Sequence, residues 1–311
     1  MYKVVVTGAA GLVGQNLIPL LTKDFKEVVC IDKHQENLDL LKNLNPDITA
    51  VHADCSSDGA WQKHLADADV LVTMAAQISA RDAELFYKNS FLATKNAVDA
   101  AKKFGVPHII HISSSAVISA VDDDYANTKR QAEEYVVNSG VSFTILRPSL
   151  VFGPFDNKHI GRILQFLKKS PVFPLAGNCK VIRQPIYVID LAKVIVAAAT
   201  RVPKNKTYNL MGTEKIYYAD MIKKIAEASN LRRLILPVPI PLFIYLMNAY
   251  AAIAKTTLFT EDQLKALLVG DVFQPDAWED EFQVKYTPFE QALKDMLARP
   301  EYKYVLKASP T

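Results

Sequence analysis

The chain has 311 residues, half of them apolar, so it is long enough to bury the core of one large or two unequal domains. Its formal net charge is only +3 and its basic doublets are scattered, which argues against nucleic acid as a partner. The three cysteines lie far apart without ligand spacing, so we expect no metal site and no disulfide scaffold.

The first elements follow each other closely. Tyr2 to Thr7 reads as a strand directly after Met1, which leaves no room for a signal peptide, so we expect a cytoplasmic protein. From there, short β-branched runs alternate with helical patterns, as is typical of βαβ units. The predicted strands are residues 4–6, 27–31, 48–52, 69–73, 108–113 and 142–146. This order predicts an α/β fold, a Rossmann doubly wound parallel sheet.

The pattern loosens after Pro148, where prolines and glycines become frequent. We predict that residues 1–150 form the NAD-binding Rossmann domain and that 181–202 return to it. Residues 151–180 and 203–311 then form a smaller, mostly helical substrate-binding region. Its predicted helices cover about 218–229, 242–255, 261–268 and 288–297.

One segment in that region, Leu234 to Ala254, is apolar throughout except for Asn248. Its length matches a membrane span, but Pro237, Pro239 and Pro241 interrupt helical hydrogen bonding in its first third. We favour a buried helix of the substrate-binding region. The alternative is an apolar surface that contacts a membrane or accepts an apolar substrate.

Three of the eleven glycines, Gly8, Gly11 and Gly14, lie between the first strand and the first helix. This position predicts a turn that holds a dinucleotide pyrophosphate on the helix N-terminus. The second strand ends at Asp32, whose carboxylate is suited to the adenosine ribose hydroxyls and repels a 2′-phosphate. We therefore predict NAD rather than NADP, although positive charge from Lys33 and His34 would partly offset the repulsion between Asp32 and a 2′-phosphate.

The G-x-x-G-x-x-G spacing resembles the fingerprint of the extended short-chain dehydrogenases/reductases, the NAD-dependent epimerase/dehydratase family. The resemblance continues along most of the chain, through Ala53-Asp54, Met74 to Gln77, Ser113 to Ser115, Tyr125 to Lys129, Leu146 to Pro148, Val151 to Pro154 and Tyr187 to Asp190. It implies that the following residues bind NAD: Gly8, Ala10, Gly11, Leu12, Val13, Gly14, Asp32, Lys33, Asp54, Cys55, Ala75, Ala76, Gln77, Ser113, Tyr125, Lys129, Pro148 and Val151.

Within this family, the stretches 170–175 and 183–188 look most similar to a branch that includes an accessory subunit of respiratory complex I. That subunit holds a nucleotide without established turnover. The 3β-hydroxysteroid dehydrogenase branch is also near. The resemblance therefore leaves both catalytic and non-catalytic functions open.

Tyr125 has Lys129 four residues later on the same face of a predicted helix. Hydride transfer at a carbinol carbon requires a base for the hydroxyl proton, and positive charge from Lys129 favours the phenolate form of Tyr125. By resemblance, Ser115 orients the substrate oxygen, with Ser114 as the second choice. Tyr-x-x-x-Lys also occurs by chance on amphipathic helices.

The connection from Ser115 to Tyr125 spans only ten positions, whereas the family usually has a longer loop there that shapes the substrate site. Asn157, Asn178 and Arg183 correspond to residues that meet the nucleotide diphosphate in sugar-nucleotide enzymes. We expect an NAD-dependent epimerase/dehydratase or dehydrogenase whose substrate is a nucleotide sugar. The alternatives are a hydroxysteroid or lipid alcohol dehydrogenase and a non-catalytic nucleotide-holding protein. The resemblance also implies a homodimer formed through the helices at 80–104 and 125–138.

Overall fold

The β-branched runs of the sequence form the strands of one parallel sheet, which confirms the predicted fold class. The structure, a computed structural model, describes residues 2–78, 80, 82–120, 122–177, 181–201, 205–246, 272–303 and 306. In spatial order the seven strands are β11 (Lys206–Leu210), β6 (Ser142–Pro148), β5 (His108–Ile112), β4 (Val70–Thr73), β1 (Lys3–Thr7), β2 (Glu27–Asp32) and β3 (Thr49–His52). The strand order reverses between β1 and β4, and ligands bind at such switch points in open α/β sheets.

Helices cover both faces of this sheet because its strands are apolar on both sides. On one face lie α1 (Leu12–Asp24), α2 (Gln35–Leu44) and α7 (Val188–Thr200). On the other lie α4 (Ala93–Phe104) and α5 (Asp124–Val137). Short 3₁₀-helices cover Ala60–Leu65, Ser115–Ile118 and Pro300–Lys303.

The long helix predicted from Ala80 to Phe104 is interrupted. A short helix, α3 (Ala83–Phe86), leads into a π-helical turn at Tyr87–Leu92, and α4 follows directly. The apolar pattern does not signal this turn, because a wider turn changes the helical register without any change in residue type. π-Helical turns are frequent at functional sites.

The remaining elements build a second layer with its own core, in which Phe152, Leu164, Met221 and Phe289 are buried. Its elements are β7 (Val151–Phe152), α6 (Ile160–Lys169), β8 (Val172–Ala176), β9 (Ile182–Arg183), β10 (Ile186–Tyr187), β12 (Ile216–Tyr217), α8 (Tyr218–Ala228), β13 (Leu234–Val238) and α10 (Phe289–Ala298). A short helix between them, α9 (Trp278–Phe282), packs instead on the core of the main sheet. β11 also belongs to the main sheet, although the sequence analysis placed residues 203–311 in the substrate-binding region.

The apolar segment after residue 233 begins as a strand, β13, rather than as part of a buried helix. A helix then starts at residue 240, and most of its described side chains, up to residue 246, are exposed. The prediction of a buried helix is therefore wrong for this part, because among residues 240–246 only Phe243 turns inward. The predicted helix at 261–268 and the rest of 242–255 lie outside the described residues. Within the described ranges, no helix is both long enough and apolar enough to span a bilayer.

Candidate active site

Two glycines of the turn after β1 are required by the fold itself. Gly8 adopts φ +71°, and a Cβ there would lie 2.6 Å from the backbone nitrogen of Ala75. A Cβ on Gly14 would lie 1.9 Å from the carbonyl oxygen of Ala9. Both contacts are far too short for a side chain, so these two glycines allow close packing of the turn.

Gly11 has a different environment. A Cβ at Gly11 would meet only the Gly8 carbonyl oxygen, at 3.6 Å, so the packing of the chain does not require glycine there. Gly11 caps α1 without any side-chain hydrogen bond, and the first intrahelical bond runs from the Gln15 N–H to the Gly11 carbonyl. The N–H groups of Leu12 and Val13 therefore have the arrangement that binds a pyrophosphate at a helix N-terminus, and this cradle fits the dinucleotide NAD.

The carboxylate of Asp32 is fixed beside this turn at the end of β2. It is buried, and its Oδ2 accepts the Ala10 N–H at 2.9 Å while Oδ1 accepts the His34 N–H at 2.9 Å. Lys33 extends away and donates to Asn89 Oδ1 at 2.7 Å. In this geometry the Asp32 carboxylate is the hydrogen-bond acceptor at the expected position of the adenosine ribose, and the Lys33 amine is hydrogen-bonded to Asn89.

Asp54 and Cys55 follow β3 on the same edge of the sheet. Burial acts against the charge on Asp54, but hydrogen bonds from Ser56 and the charges of Lys33 and Lys88 lower the pKa of its carboxyl group overall. Burial and the nearby carboxylates of Asp32 and Asp54 raise the pKa of the Cys55 thiol to about 12. Cys55 therefore acts as a neutral packing residue.

The loop after β4 carries Ala75, Ala76 and Gln77, and the π-helical turn anchors it. The Gln77 N–H donates to Ser90 Oγ at 3.1 Å, and Asn89 Nδ2 donates to Gln77 Oε1 at 3.0 Å. Asn89 thus links Gln77 to Lys33 on the neighbouring part of the site. No motif spacing points to Asn89 and Ser90, because their placement depends on the unpredicted π turn.

Tyr125 lies half-buried in the first turn of α5, and its side chain is hydrogen-bonded to that of Ser114. The ring of Phe86 packs against it at 6.4 Å between centroids. Burial raises the pKa of the Tyr125 phenol, the Ser114 hydrogen bond lowers it, and the Asp123 carboxylate raises it, with a net increase. The structure thus gives the contact with the phenol to Ser114, the second choice from the sequence, while Ser115 begins the 3₁₀-helix Ser115–Ile118.

Lys129 lies one helical turn further along α5 and is buried. Its Nζ donates to the Ile112 carbonyl oxygen at 2.7 Å, at the end of β5. Burial lowers the pKa of this amine to about 8, with the charge of Glu133 acting in the opposite direction. Glu133 itself forms a bidentate ion pair with Arg147, which fixes α5 against β6.

A buried polar cluster lies behind Lys129 at the ends of the central strands. His111 Nδ1 is hydrogen-bonded to Thr73 Oγ1 at 2.8 Å, and burial followed by the charge of Lys129 lowers the pKa of the imidazole. His111 is therefore a neutral, buried strand-end group. Ser113, another predicted cofactor residue, donates its N–H to the Leu146 carbonyl at 2.8 Å.

The predicted substrate residues are less clearly assembled. The Asn157 side-chain amide donates to the Leu306 carbonyl. Arg183 lies half-buried in β9, paired with Ile216 of β12, and Asn178 lies outside the described residues. Of the other predicted cofactor residues, Pro148 ends β6 and Val151 begins β7.

Comparison with known proteins gives a consistent family match. The profile of the NAD dependent epimerase/dehydratase family matches residues 4–210. Ceramide reductase of Caulobacter vibrioides is 28% identical over 194 residues, which cover 62% of this chain and only 60% of that protein. NADH dehydrogenase (ubiquinone) 1 alpha subcomplex subunit 9, mitochondrial, of Arabidopsis thaliana is 28% identical over 294 residues, covering 84% of this chain and 71% of that protein.

Among solved structures, UDP-glucuronic acid 4-epimerase from Bacillus cereus, in complex with NAD, superposes with a TM-score of 0.73 at 22% identity. The superposition covers 94% of each chain. At this identity the likeness is one of fold.

Proposed function

The chain belongs to the NAD-dependent epimerase/dehydratase family, and with NAD as its cofactor we propose that it oxidises a substrate hydroxyl group by hydride transfer. The observation that carries this proposal is the placement of Tyr125 and Lys129 one helical turn apart on α5, with the buried amine of Lys129 donating to the Ile112 carbonyl at 2.7 Å. In this proposal Tyr125 is the base, Lys129 is the cation, and Ser114, which lowers the pKa of the phenol, is the hydroxyl donor.

Each residue has a defined part in this reaction. Tyr125 takes the proton of the substrate hydroxyl, and Ser114 hydrogen-bonds the substrate oxygen while it holds the phenol in place. NAD held by the residues named below would supply the acceptor for the hydride that leaves the carbinol carbon. Burial and the Asp123 carboxylate raise the pKa of the phenol, and the hydrogen bond with Ser114 lowers it. In this proposal the positive charges of Lys129 and of bound oxidised NAD add to the effect of Ser114 and favour the phenolate.

The cofactor is held by the residues predicted for it. We propose that the N-terminus of α1 binds the pyrophosphate, that Asp32 binds the adenosine ribose, and that Gln77 and Lys129 flank the nicotinamide ribose. In this proposal residues 1–150 and 181–210 hold NAD, and the second layer binds the substrate.

As substrate we propose a nucleotide sugar, because relatives in this family include nucleotide-sugar epimerases. The second candidate is a lipid-linked or lipid alcohol. Two features favour it: the short connection between Ser115 and Tyr125, and the exposed apolar side chains between residues 234 and 246. Ceramide reductase shows that a protein similar to this chain acts on a lipid.

The test is turnover of a substrate panel with NAD, followed by chromatography of the products. The panel contains UDP- and dTDP-sugars, a ceramide and a polyprenyl-diphosphate sugar. Tyr125→Phe should lower turnover by about 10²- to 10⁴-fold while NAD affinity, measured by calorimetry, stays the same. Tyr87→Phe is the matched control, since Tyr87 is an exposed residue of the π-helical turn.

If the wild-type chain binds NAD but converts no member of the panel, the non-catalytic alternative replaces this proposal. Undiminished turnover by Tyr125→Phe would exclude Tyr125 as the base.

We also propose a homodimer formed through α4 and α5, as the family resemblance implies. Sedimentation at micromolar concentration should show a dimer, and a monomer alone would refute this pairing.

A further inference from the structure

The second layer carries an exposed apolar patch. Fifteen large apolar side chains are exposed among the described residues, and seven of them lie within residues 234–246. These seven, here called the apolar patch, are Leu234, Leu236, Ile240, Leu242, Ile244, Tyr245 and Leu246. Leu234 is 60% exposed and Tyr245 is 69% exposed. Concentration of this kind marks an interaction surface, whereas single exposed leucines need no explanation.

The local structure explains why these side chains face outward. β13 pairs with β8, and along it Ile235 packs on the core of the second layer while Leu234 and Leu236 alternate to the other side. In the helix that starts at residue 240, Phe243 is buried and its neighbours are exposed. The segment is thus anchored by three inward side chains, Ile235, Val238 and Phe243, and most of its other apolar side chains face outward.

Positive charge borders the patch on one side. β8 and β13 are parallel, and Leu234 pairs with Val172, so the doublets Lys168-Lys169 and Arg232-Arg233 precede the two strands at the same end. Arg233 Nε donates at 2.5 Å to the carbonyl of Leu167, the residue directly before Lys168, so the two doublets lie near each other.

Negative charge is missing from the same stretch of sequence. No aspartate or glutamate occurs from Asn230 to Thr260 or from Gln165 to Gly177, although the chain contains 33 acidic residues. The charged side chains of these two stretches of sequence are therefore all basic.

We propose that the apolar patch docks onto the surface of a membrane that carries anionic lipid headgroups. Leucine, isoleucine and tyrosine side chains enter the interfacial layer, and the basic doublets meet the lipid phosphates. A second copy of the chain fits this surface poorly, since its own basic border would face the first across the contact. The docking is peripheral and does not depend on the proposed catalytic reaction.

The test uses the full chain and two sets of vesicles in a co-sedimentation assay. One set is phosphatidylcholine alone, and the other contains about one-third phosphatidylglycerol. We expect binding to the anionic vesicles and at least about a tenfold weaker partition to the neutral ones. Raising NaCl from about 50 mM to about 0.5 M should weaken the anionic binding, because salt screens the basic border.

Two variants address the two components of the surface. Leu242→Glu/Tyr245→Glu should abolish vesicle binding, whereas the matched pair Tyr2→Glu/Leu44→Glu, exposed elsewhere, should not. Lys169→Ala/Arg232→Ala should reduce the anionic partition about tenfold, and Lys102→Ala/Lys103→Ala, a doublet at the end of α4, should leave it unchanged. Retained NAD affinity shows that each variant is folded.

Several outcomes would overturn the proposal. Absence of binding to the anionic vesicles would assign the patch to a protein partner. Equal binding to both vesicle sets would remove the role of charge. A sedimentation coefficient that depends on Leu242 and Tyr245 in vesicle-free buffer, without vesicle binding, would make the patch a contact between copies.

Discussion

The side chain of Ser114 is hydrogen-bonded to that of Tyr125 at the start of α5. Ten residues lie between the two in the sequence, on a short connection. This bond lowers the pKa of the phenol against the effects of burial and of Asp123. Ser114→Ala should therefore shift the Tyr125 titration to higher pH, and the phenolate needed as the base would form only at higher pH.

The measurement is the ultraviolet absorbance of phenolate against pH, taken as the difference between each protein and the same protein carrying Tyr125→Phe. Ser115→Ala is the control. Because Ser114 also accepts the Ala116 N–H as a helix cap, Ser114→Ala should lower stability by about 1 kcal/mol. If Ser115→Ala shifts the Tyr125 titration more than Ser114→Ala does, then Ser115, and not Ser114, is the hydrogen-bond partner of the phenol.

Two glycines of the turn after β1, Gly11 and Gly14, should affect NAD binding and folding stability separately. Gly11→Ala places its methyl group in ordinary van der Waals contact with the Gly8 carbonyl oxygen, at 3.6 Å, so the thermal unfolding midpoint should change little while NAD affinity falls at least about tenfold. Gly14→Ala drives a methyl group into the Ala9 carbonyl and should destabilise the protein by several kcal/mol, on the order of 3 or more. Calorimetric unfolding and NAD titration distinguish the two. Unchanged NAD affinity in Gly11→Ala would remove the pyrophosphate from this cradle.

Asp32 sets the cofactor preference. Asp32→Ser removes the carboxylate that accepts from the adenosine ribose and repels a 2′-phosphate. NADH binding should therefore weaken by about tenfold, and the ratio of NADH affinity to NADPH affinity should fall. The Ala10 N–H also loses its buried partner, at a cost of about 1 to 3 kcal/mol. Fluorescence titrations of the two reduced cofactors measure the ratio, and an unaltered ratio would count against Asp32.

Lys129 makes stability depend on pH. Its pKa is about 8 in the folded chain, below the ordinary value of 10.5, so the unfolded chain binds more protons between these values. The free energy of unfolding therefore rises as pH increases from 8 to 10.5. At pH 7 the folded chain bears the full cost of burying the charged amine of Lys129. Lys129→Met should be more stable than the wild type at pH 7, by about 1 to 2 kcal/mol, with the advantage lost near pH 10.

Urea unfolding at both pH values tests this difference, with exposed Lys102→Met as the control. A variant that is less stable than the wild type at pH 7 would show that the hydrogen bond to Ile112 outweighs the cost of burying the charge.

The strand–helix alternation predicted the sheet because apolar β-branched runs report burial directly, as in β1, β4 and β5. It missed β11 and β13. Lys206 to Leu210 contains polar residues, since the strand lies at the edge of the sheet, and Pro237 within Leu234 to Val238 suggested a break. Edge strands tolerate both features, so neither pattern identifies them.

The site was predictable where a motif fixes local geometry, as for Gly8, Gly14 and the Tyr125–Lys129 pair on one helix face. It was not predictable where the contact depends on tertiary placement. The choice between Ser114 and Ser115 is of this kind, because the direction of each hydroxyl is set by the 3₁₀-helix that begins at Ser115. Asn157 illustrates the same limit, since its amide meets the backbone of Leu306, 149 residues away.

Asn89 joins two parts of the site that the sequence presents as separate motifs. Its amide accepts from Lys33 beside the expected adenosine ribose and donates to Gln77 beside the expected nicotinamide ribose. Ordering of either half of the site therefore restrains the other through one side chain. In terms of linkage, an adenosine fragment and a nicotinamide fragment would each strengthen the binding of the other by the same factor, and the intact dinucleotide gains from both.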